Sequence, residues 1–93
     1  MLGYANRQAL EETLRSGYAT FWKTSENRLW TKGESSDDLL KIIRISVDCD
    51  QDALLYEVEI MGKGACHTKT SSGDTRTSCF YRKIGPEGKL EFI

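Results

Sequence analysis

The stretch Ile-Arg-Ile-Ser-Val-Asp-Cys-Asp-Gln-Asp-Ala-Leu-Leu-Tyr-Glu-Val-Glu-Ile, residues 43–60, decides the fold. Before its acidic corner, Ile43, Ile45 and Val47 alternate with Arg44 and Ser46; after it, Leu54, Tyr56, Val58 and Ile60 alternate with Leu55, Glu57 and Glu59. Successive side chains of a strand point to opposite faces, so this period of two predicts two half-buried strands joined by a turn. Working outward, Tyr18 to Lys23 and Arg28 to Lys32 flank a polar Thr24-Ser25-Glu26-Asn27 connection and predict a hairpin. Short strands are expected around Cys79-Phe80-Tyr81-Arg82 and over Lys89 to Ile93, with Gly85-Pro86-Glu87-Gly88 as a turn, and Met1 to Tyr4 also resembles a strand. Only one segment has helical spacing. Asn6 is placed to cap it, Ala9, Leu10, Thr13 and Leu14 form its apolar stripe, and Gly17 is placed to stop it. The expected fold class is α+β: one antiparallel, β-rich domain over residues 1–93 with a single N-terminal helix.

Ninety-three residues make a thin core for their surface, and dimerisation is a common remedy. A strand at the very start would leave an edge in need of a partner, which also favours a homodimer. Thirteen Lys+Arg against fourteen Asp+Glu give a formal charge of -1, so neither nucleic acid nor an anionic membrane is expected as a partner held by charge. No apolar run is long enough to span a bilayer, and the first residues lack the basic leader and apolar stretch of a signal peptide; a cytoplasmic address is expected. Three cysteines, Cys49, Cys66 and Cys79, are an odd number without an export signal, which favours free thiols or metal thiolates over disulfides.

Three segments carry chemistry. Asp48-Cys49-Asp50-Gln51-Asp52 sets three carboxylates at i, i+2 and i+4, on one side of an extended backbone, with Cys49 on the other. Clustered hard oxygens suit Mg²⁺ or Ca²⁺ and a thiolate suits a softer ion such as Zn²⁺; a solvated acidic turn is the plainer reading. An EF-hand is rejected, because Ala53 stands where such a loop needs glycine and both flanks alternate like strands. The second segment joins Gly64-Ala65-Cys66-His67-Thr68 to Thr77-Ser78-Cys79-Phe80-Tyr81-Arg82 across a polar loop that can bring the two sulfurs together. Three cysteines without a paired knuckle fit an open zinc site better than a closed structural one. Two unrelated buried thiols beside a surface histidine are the alternative. The third, Trp30-Thr31-Lys32-Gly33-Glu34-Ser35-Ser36, offers backbone amides, a lysine and hydroxyls to a phosphate, or else makes an ordinary turn with Trp30 in the core.

In order along the chain, Gly-Tyr-Ala-Asn-Arg-Gln-Ala-Leu (3–10), Gly17 to Trp22, Leu-Trp-Thr-Lys-Gly-Glu-Ser-Ser (29–36), Asp-Cys-Asp-Gln-Asp-Ala-Leu-Leu (48–55), Gly-Ala-Cys-His-Thr (64–68) and Ser-Cys-Phe-Tyr-Arg (78–82) together resemble the phosphoribosyl-AMP cyclohydrolase family of histidine biosynthesis. The resemblance implies a hydrolase that opens the N1–C6 bond of the purine ring of phosphoribosyl-AMP, giving a formimino-aminoimidazole carboxamide ribonucleotide. It implies an intertwined homodimer with Zn²⁺ on Cys49 of one subunit and Cys66 and Cys79 of the other, and Mg²⁺ on Asp48, Asp50 and Asp52. A zinc site with an open position lowers the pKa of its water toward neutrality, which suits attack on a weakly electrophilic ring carbon. His67 is then the candidate for proton transfer. Lys32, Ser35, Arg76 and Arg82 are the candidates for the two phosphates, with Trp30 and Glu34 near the base or ribose.

Three departures from the family pattern stand out. The strands that usually precede Leu-Gly-Tyr-Ala-Asn are missing, Lys69 to Thr77 lengthens the loop between the last two cysteines, and Asp37 replaces a usual glycine after the Ser-Ser pair. With so little chain after the last cysteine, the pyrophosphohydrolase domain that some relatives carry is not expected here. A truncated relative that binds metal without turnover is the competing expectation. A zinc nucleobase deaminase is set aside because its His-x-Glu and Pro-Cys-x-x-Cys signature is absent.

Overall fold

A computed structural model describes residues 1–93, which divide into two compact units: residues 3–62, and residues 63–93 with Met1 and Leu2. The first unit holds helix α1 (Arg7–Ser16) and two antiparallel hairpins, β1 (Thr20–Lys23) with β2 (Arg28–Thr31) and β3 (Leu40–Val47) with β4 (Leu54–Ile60). The second holds a looped segment and the hairpin of β5 (Arg82–Ile84) with β6 (Leu90–Phe92). This is the α+β class read from the sequence. No helix is long and apolar enough to cross a membrane, and all three cysteines are free thiols.

Helix α1 begins and ends where its capping residues dictate. Extended Asn6 accepts the Ala9 amide on its side-chain oxygen at 2.9 Å, and Gly17 closes the last turn at φ +80° with its amide on the Thr13 carbonyl. The inward face is narrower than the stripe suggested: Ala9 and Thr13 are buried, whereas Leu14 is exposed. Beneath them lie Ala19, Thr20 and Leu40, also buried. With such small side chains at the centre, hydrogen bonds carry much of the specificity. The Thr13 hydroxyl donates to the Ala9 carbonyl at 2.8 Å and accepts the Thr20 amide at 3.0 Å, so one buried side chain joins helix to sheet. Thr20 in turn meets Thr31 across the first hairpin, hydroxyl to hydroxyl at 3.0 Å.

The second hairpin is fastened to the residues that follow α1. The Ala19 amide bonds the Leu40 carbonyl and the Ile42 amide bonds the Gly17 carbonyl, with Tyr18 bridged to Lys41. Phe21 lies between Trp30 and Tyr56, with ring centroids 5.8 and 6.1 Å away, and so connects the inner faces of both hairpins. The strict alternation expected from Ile43 onward is broken at its first residue. The register slips between Ile42 and Arg44, leaving Ile43 as an exposed extra residue, while Ile45 pairs with Tyr56 and Val47 with Leu54.

Two further expectations are corrected. Met1 to Tyr4 forms no strand; its one tie to the sheet is the Tyr4 carbonyl, which accepts the Trp22 amide at 2.8 Å. Cys79 to Tyr81 are irregular as well, and β5 starts only at Arg82. In the second unit the chain between Cys66 and Thr77 folds back on itself. The Ala65 amide bonds the Thr77 carbonyl, the Cys66 amide bonds the Arg76 carbonyl, and the Arg76 amide returns to the Thr68 carbonyl. A bridge between Lys69 and Thr75 closes this excursion, so the long loop is a stitched finger.

Because the buried Thr20 amide donates to the Thr13 hydroxyl, Thr13→Val should lower the unfolding free energy by about 1–3 kcal/mol, the cost of a buried donor left unpaired. Urea denaturation of the two proteins measures it; an unchanged midpoint would remove the hydroxyl from the account.

Candidate metal and phosphate sites

The acidic corner is a turn built around Asp48 rather than the extended run that the spacing suggested. Its Oδ1 accepts the amides of Asp52 and Ala53, both at 3.0 Å, while its backbone exchanges further bonds with Ala53 and Gln51. Gln51 takes the left-handed conformation, φ +62°, to turn the chain. The result gathers carboxylate oxygens of Asp48, Asp50 and Asp52 within 4.8 Å of one another, all exposed. The Ala53 amide, helped by its acidic neighbours and the Asp52 amide, holds the Asp48 carboxyl below the ordinary range. Asp52 is pushed the other way, above the ordinary range, by its hydrogen bonds first to Asp48 and then to Asp50. Three carboxylates so close repel unless a proton or a cation lies among them, and an all-oxygen set suits a hard divalent ion. Cys49 is exposed on this same turn.

In the second unit Cys66 is buried and Cys79 exposed. The stitched finger brings them together, for the Cys79 thiol is among the hydrogen-bonding neighbours of Cys66. The Thr68 hydroxyl lies 2.9 Å from the Cys66 sulfur and the Thr68 amide 3.5 Å from it. These donors, Thr68 foremost, then Cys79 and the nearby Arg76 charge, favour the thiolate and lower the Cys66 pKa against the opposing effect of burial. His67 sits between these residues in sequence, with its side chain exposed. Two adjacent sulfurs, one already biased toward its anion, fit a soft cation such as zinc as part of a larger ligand set.

The remaining candidates divide between the two units. In the first, Lys32 is buried and its ammonium donates to the Asp38 carbonyl at 3.3 Å, so it closes its own loop. Glu34 is likewise engaged, accepting the Thr31 amide at 3.2 Å and pairing with Arg28 at 3.3 Å. Ser35 is exposed, and Trp30 is half-buried against Phe21. The loop is tight. Gly33 has φ +86°, and a Cβ there would collide with the Asp38 backbone. Asp37, in the position where glycine was expected, has φ +64°. In the second unit Arg76 and Arg82 meet over one ring, their guanidinium carbons 3.9 and 5.0 Å from the Tyr81 centroid. Sequence reasoning missed Thr68 and Tyr81, although Thr68 is two residues from a cysteine and Tyr81 directly precedes an arginine.

Fold and sites together define a small α+β protein with an oxygen cluster in one unit and a thiol pair in the other. The family profile described as Phosphoribosyl-AMP cyclohydrolase matches residues 1–81, and the chain belongs to that family. It is 45% identical over 84 residues to the phosphoribosyl-AMP cyclohydrolase of Solibacter usitatus, covering 90% of this chain and 62% of that protein. Against the protein of the same name from Hyphomonas neptunium the identity is 48%, over 90% of this chain and 59% of the other. It is also 44% identical to the histidine biosynthesis bifunctional protein HisIE of Aquifex aeolicus, over 90% of this chain and 38% of that one. The chain therefore spans about three fifths of the length of the first two relatives.

Left-handed backbone is costly for a residue with a Cβ, so Asp37→Gly should raise the unfolding free energy by up to about 1 kcal/mol. Thermal denaturation reads this directly, and a lower melting temperature for the glycine variant would refute the assignment of strain to this position.

Proposed function

We propose that this chain is a phosphoribosyl-AMP cyclohydrolase of histidine biosynthesis, acting in the cytoplasm as a homodimer. Membership of the family over residues 1–81 carries this reading. It is supported by the retention of every expected metal-ligating side chain, with the three carboxylates gathered and two of the three thiols adjacent. In this reading Zn²⁺ is held by Cys49 of one copy with Cys66 and Cys79 of a second, and Mg²⁺ by Asp48, Asp50 and Asp52. Bound at these places, zinc supplies a Lewis acid that acidifies water near neutral pH, and magnesium a hard centre for phosphate or ribose oxygens.

The chain's own residues do the rest. Water adds at C6 of the purine ring, the N1–C6 bond opens, and N1 gains the proton that water gives up. Exposed His67, beside Cys66 in sequence, is the group proposed to carry that proton to N1, since an imidazole exchanges protons readily near neutral pH. Arg76 and Arg82 bind the phosphates through planar, permanently charged forks. Ser35 adds a hydroxyl, while Trp30 packs near the base. Lys32 and Glu34 act from within their turn, Lys32 by fixing the loop and Glu34 by holding the Thr31 amide and Arg28.

Purified protein given phosphoribosyl-AMP, Zn²⁺ and Mg²⁺ should convert it, followed by the change in ultraviolet absorbance. Stoichiometric zinc with no spectral change would instead leave a metal-binding module without turnover. Cys79→Ser should lose zinc and activity together, whereas Asp50→Asn should raise the Mg²⁺ requirement and leave zinc content near that of the parent, as metal analysis would show. Mixing inactive Cys49→Ser with inactive Cys66→Ser should restore one working site per heterodimer; no recovery after subunit exchange would rule out a site shared between copies.

A further inference from the structure

The guanidinium of Arg76 is the cation most closely stacked on an aromatic ring, 3.9 Å from the Tyr81 centroid and 5.6 Å from that of Phe92. The two rings stack on each other at 6.2 Å with an interplanar angle of 22°. Phe92 reaches this position because β6 pairs it with Arg82, next to Tyr81, and the Ile93 amide then bonds the Tyr81 carbonyl at 3.1 Å. The backbone of Arg76 is fixed separately, by bonds to Cys66 and Thr68. Both ends of the residue are therefore held.

Its charge, in contrast, meets no carboxylate. None of the ion pairs involves Arg76 or Arg82, and the Arg76 Nε is buried with no partner. Two cations on one ring, neither paired with a carboxylate, form an arrangement that an anion completes. The hairpin that supplies Phe92 lies past the residues matched to the family, 1–81.

We infer that Tyr81 and Phe92 are positioning residues, a stacked pair that holds the Arg76 guanidinium in place for a phosphate of the substrate. The inference rests on the proposed function and adds to it the source of the arginine's fixed geometry. An arginine held flat loses little rotamer freedom on binding, so removing its support weakens ground-state binding more than it slows the chemical step.

The test is steady-state kinetics on the full chain loaded with zinc and magnesium, with folding checked by circular dichroism and zinc by metal analysis. Phe92→Ala, at an exposed position, and Tyr81→Leu should each raise the KM for phosphoribosyl-AMP by about fivefold to tenfold, with kcat within about twofold. Tyr81→Phe, which keeps the ring, should stay near the parent KM. Arg76→Ala should raise KM at least as far, and adding Phe92→Ala to it should cost nothing more, since of the two guanidiniums the Phe92 ring meets only that of Arg76. Unchanged KM in both Phe92→Ala and Tyr81→Leu, or effects of Arg76→Ala and Phe92→Ala that multiply, would overturn the inference. Should the parent protein fail to turn over, the functional reading falls separately. The same order is then read from calorimetric titration with inorganic pyrophosphate, where equal affinity for the parent and Phe92→Ala proteins overturns it.

Discussion

The hydroxyl of Thr13 is the interaction on which the first unit depends. The largest side chains fully withdrawn from water are Thr13 and Thr20, not leucines or aromatic rings. A core of alanine and threonine buries little apolar area, so it gains specificity from polar groups that find partners with good geometry. The same hydroxyl that bonds back to the Ala9 carbonyl within α1 also receives the first amide of β1. From that junction follow the position of Thr31, hence of the loop at Lys32, and the attachment of β3 through Gly17 and Ala19.

A sparse core shifts the structural demands onto turns. The Asp48 turn, the Lys32–Asp38 loop and the Cys66–Thr77 finger are each closed by their own side-chain or backbone bonds, with few buried side chains beneath them. In each, residues that look functional also hold the backbone. Asp48 accepts two amides and presents a carboxylate; Lys32 stabilises a loop otherwise rich in hydroxyls; Thr68 shapes the finger and polarises the Cys66 sulfur. Replacing such a residue therefore alters scaffold and chemistry together, which is why stability and metal content need separate readouts in this protein.

What the sequence made legible follows the range of the interactions. Asn6 and Gly17 mark the ends of α1 because capping is decided within four residues, and the two hairpins are visible because alternation is local. The slip at Ile43 is not, since a bulge exists only relative to a paired strand. Met1 to Tyr4 alternates well enough to suggest a strand, yet it makes one sheet bond, and pattern alone cannot supply a partner. Site residues were readable by type and spacing, but their geometry was not. The Asp cluster depends on a left-handed Gln51, the thiol pair on bonds that cross the finger, and the burial of Lys32 opposes the usual preference of lysine for solvent.

One detail of the Asp48 turn would limit any ion held there. Since Oδ1 of Asp48 already serves two amides, the second oxygen of that side chain is the one open to a new bond, and chelation through both would compete with those amides. The cluster is thereby restricted in denticity. A large ion that seeks seven or eight oxygens would find fewer of them there, whereas a small octahedral one, content with a few carboxylate oxygens and several retained waters, would lose nothing.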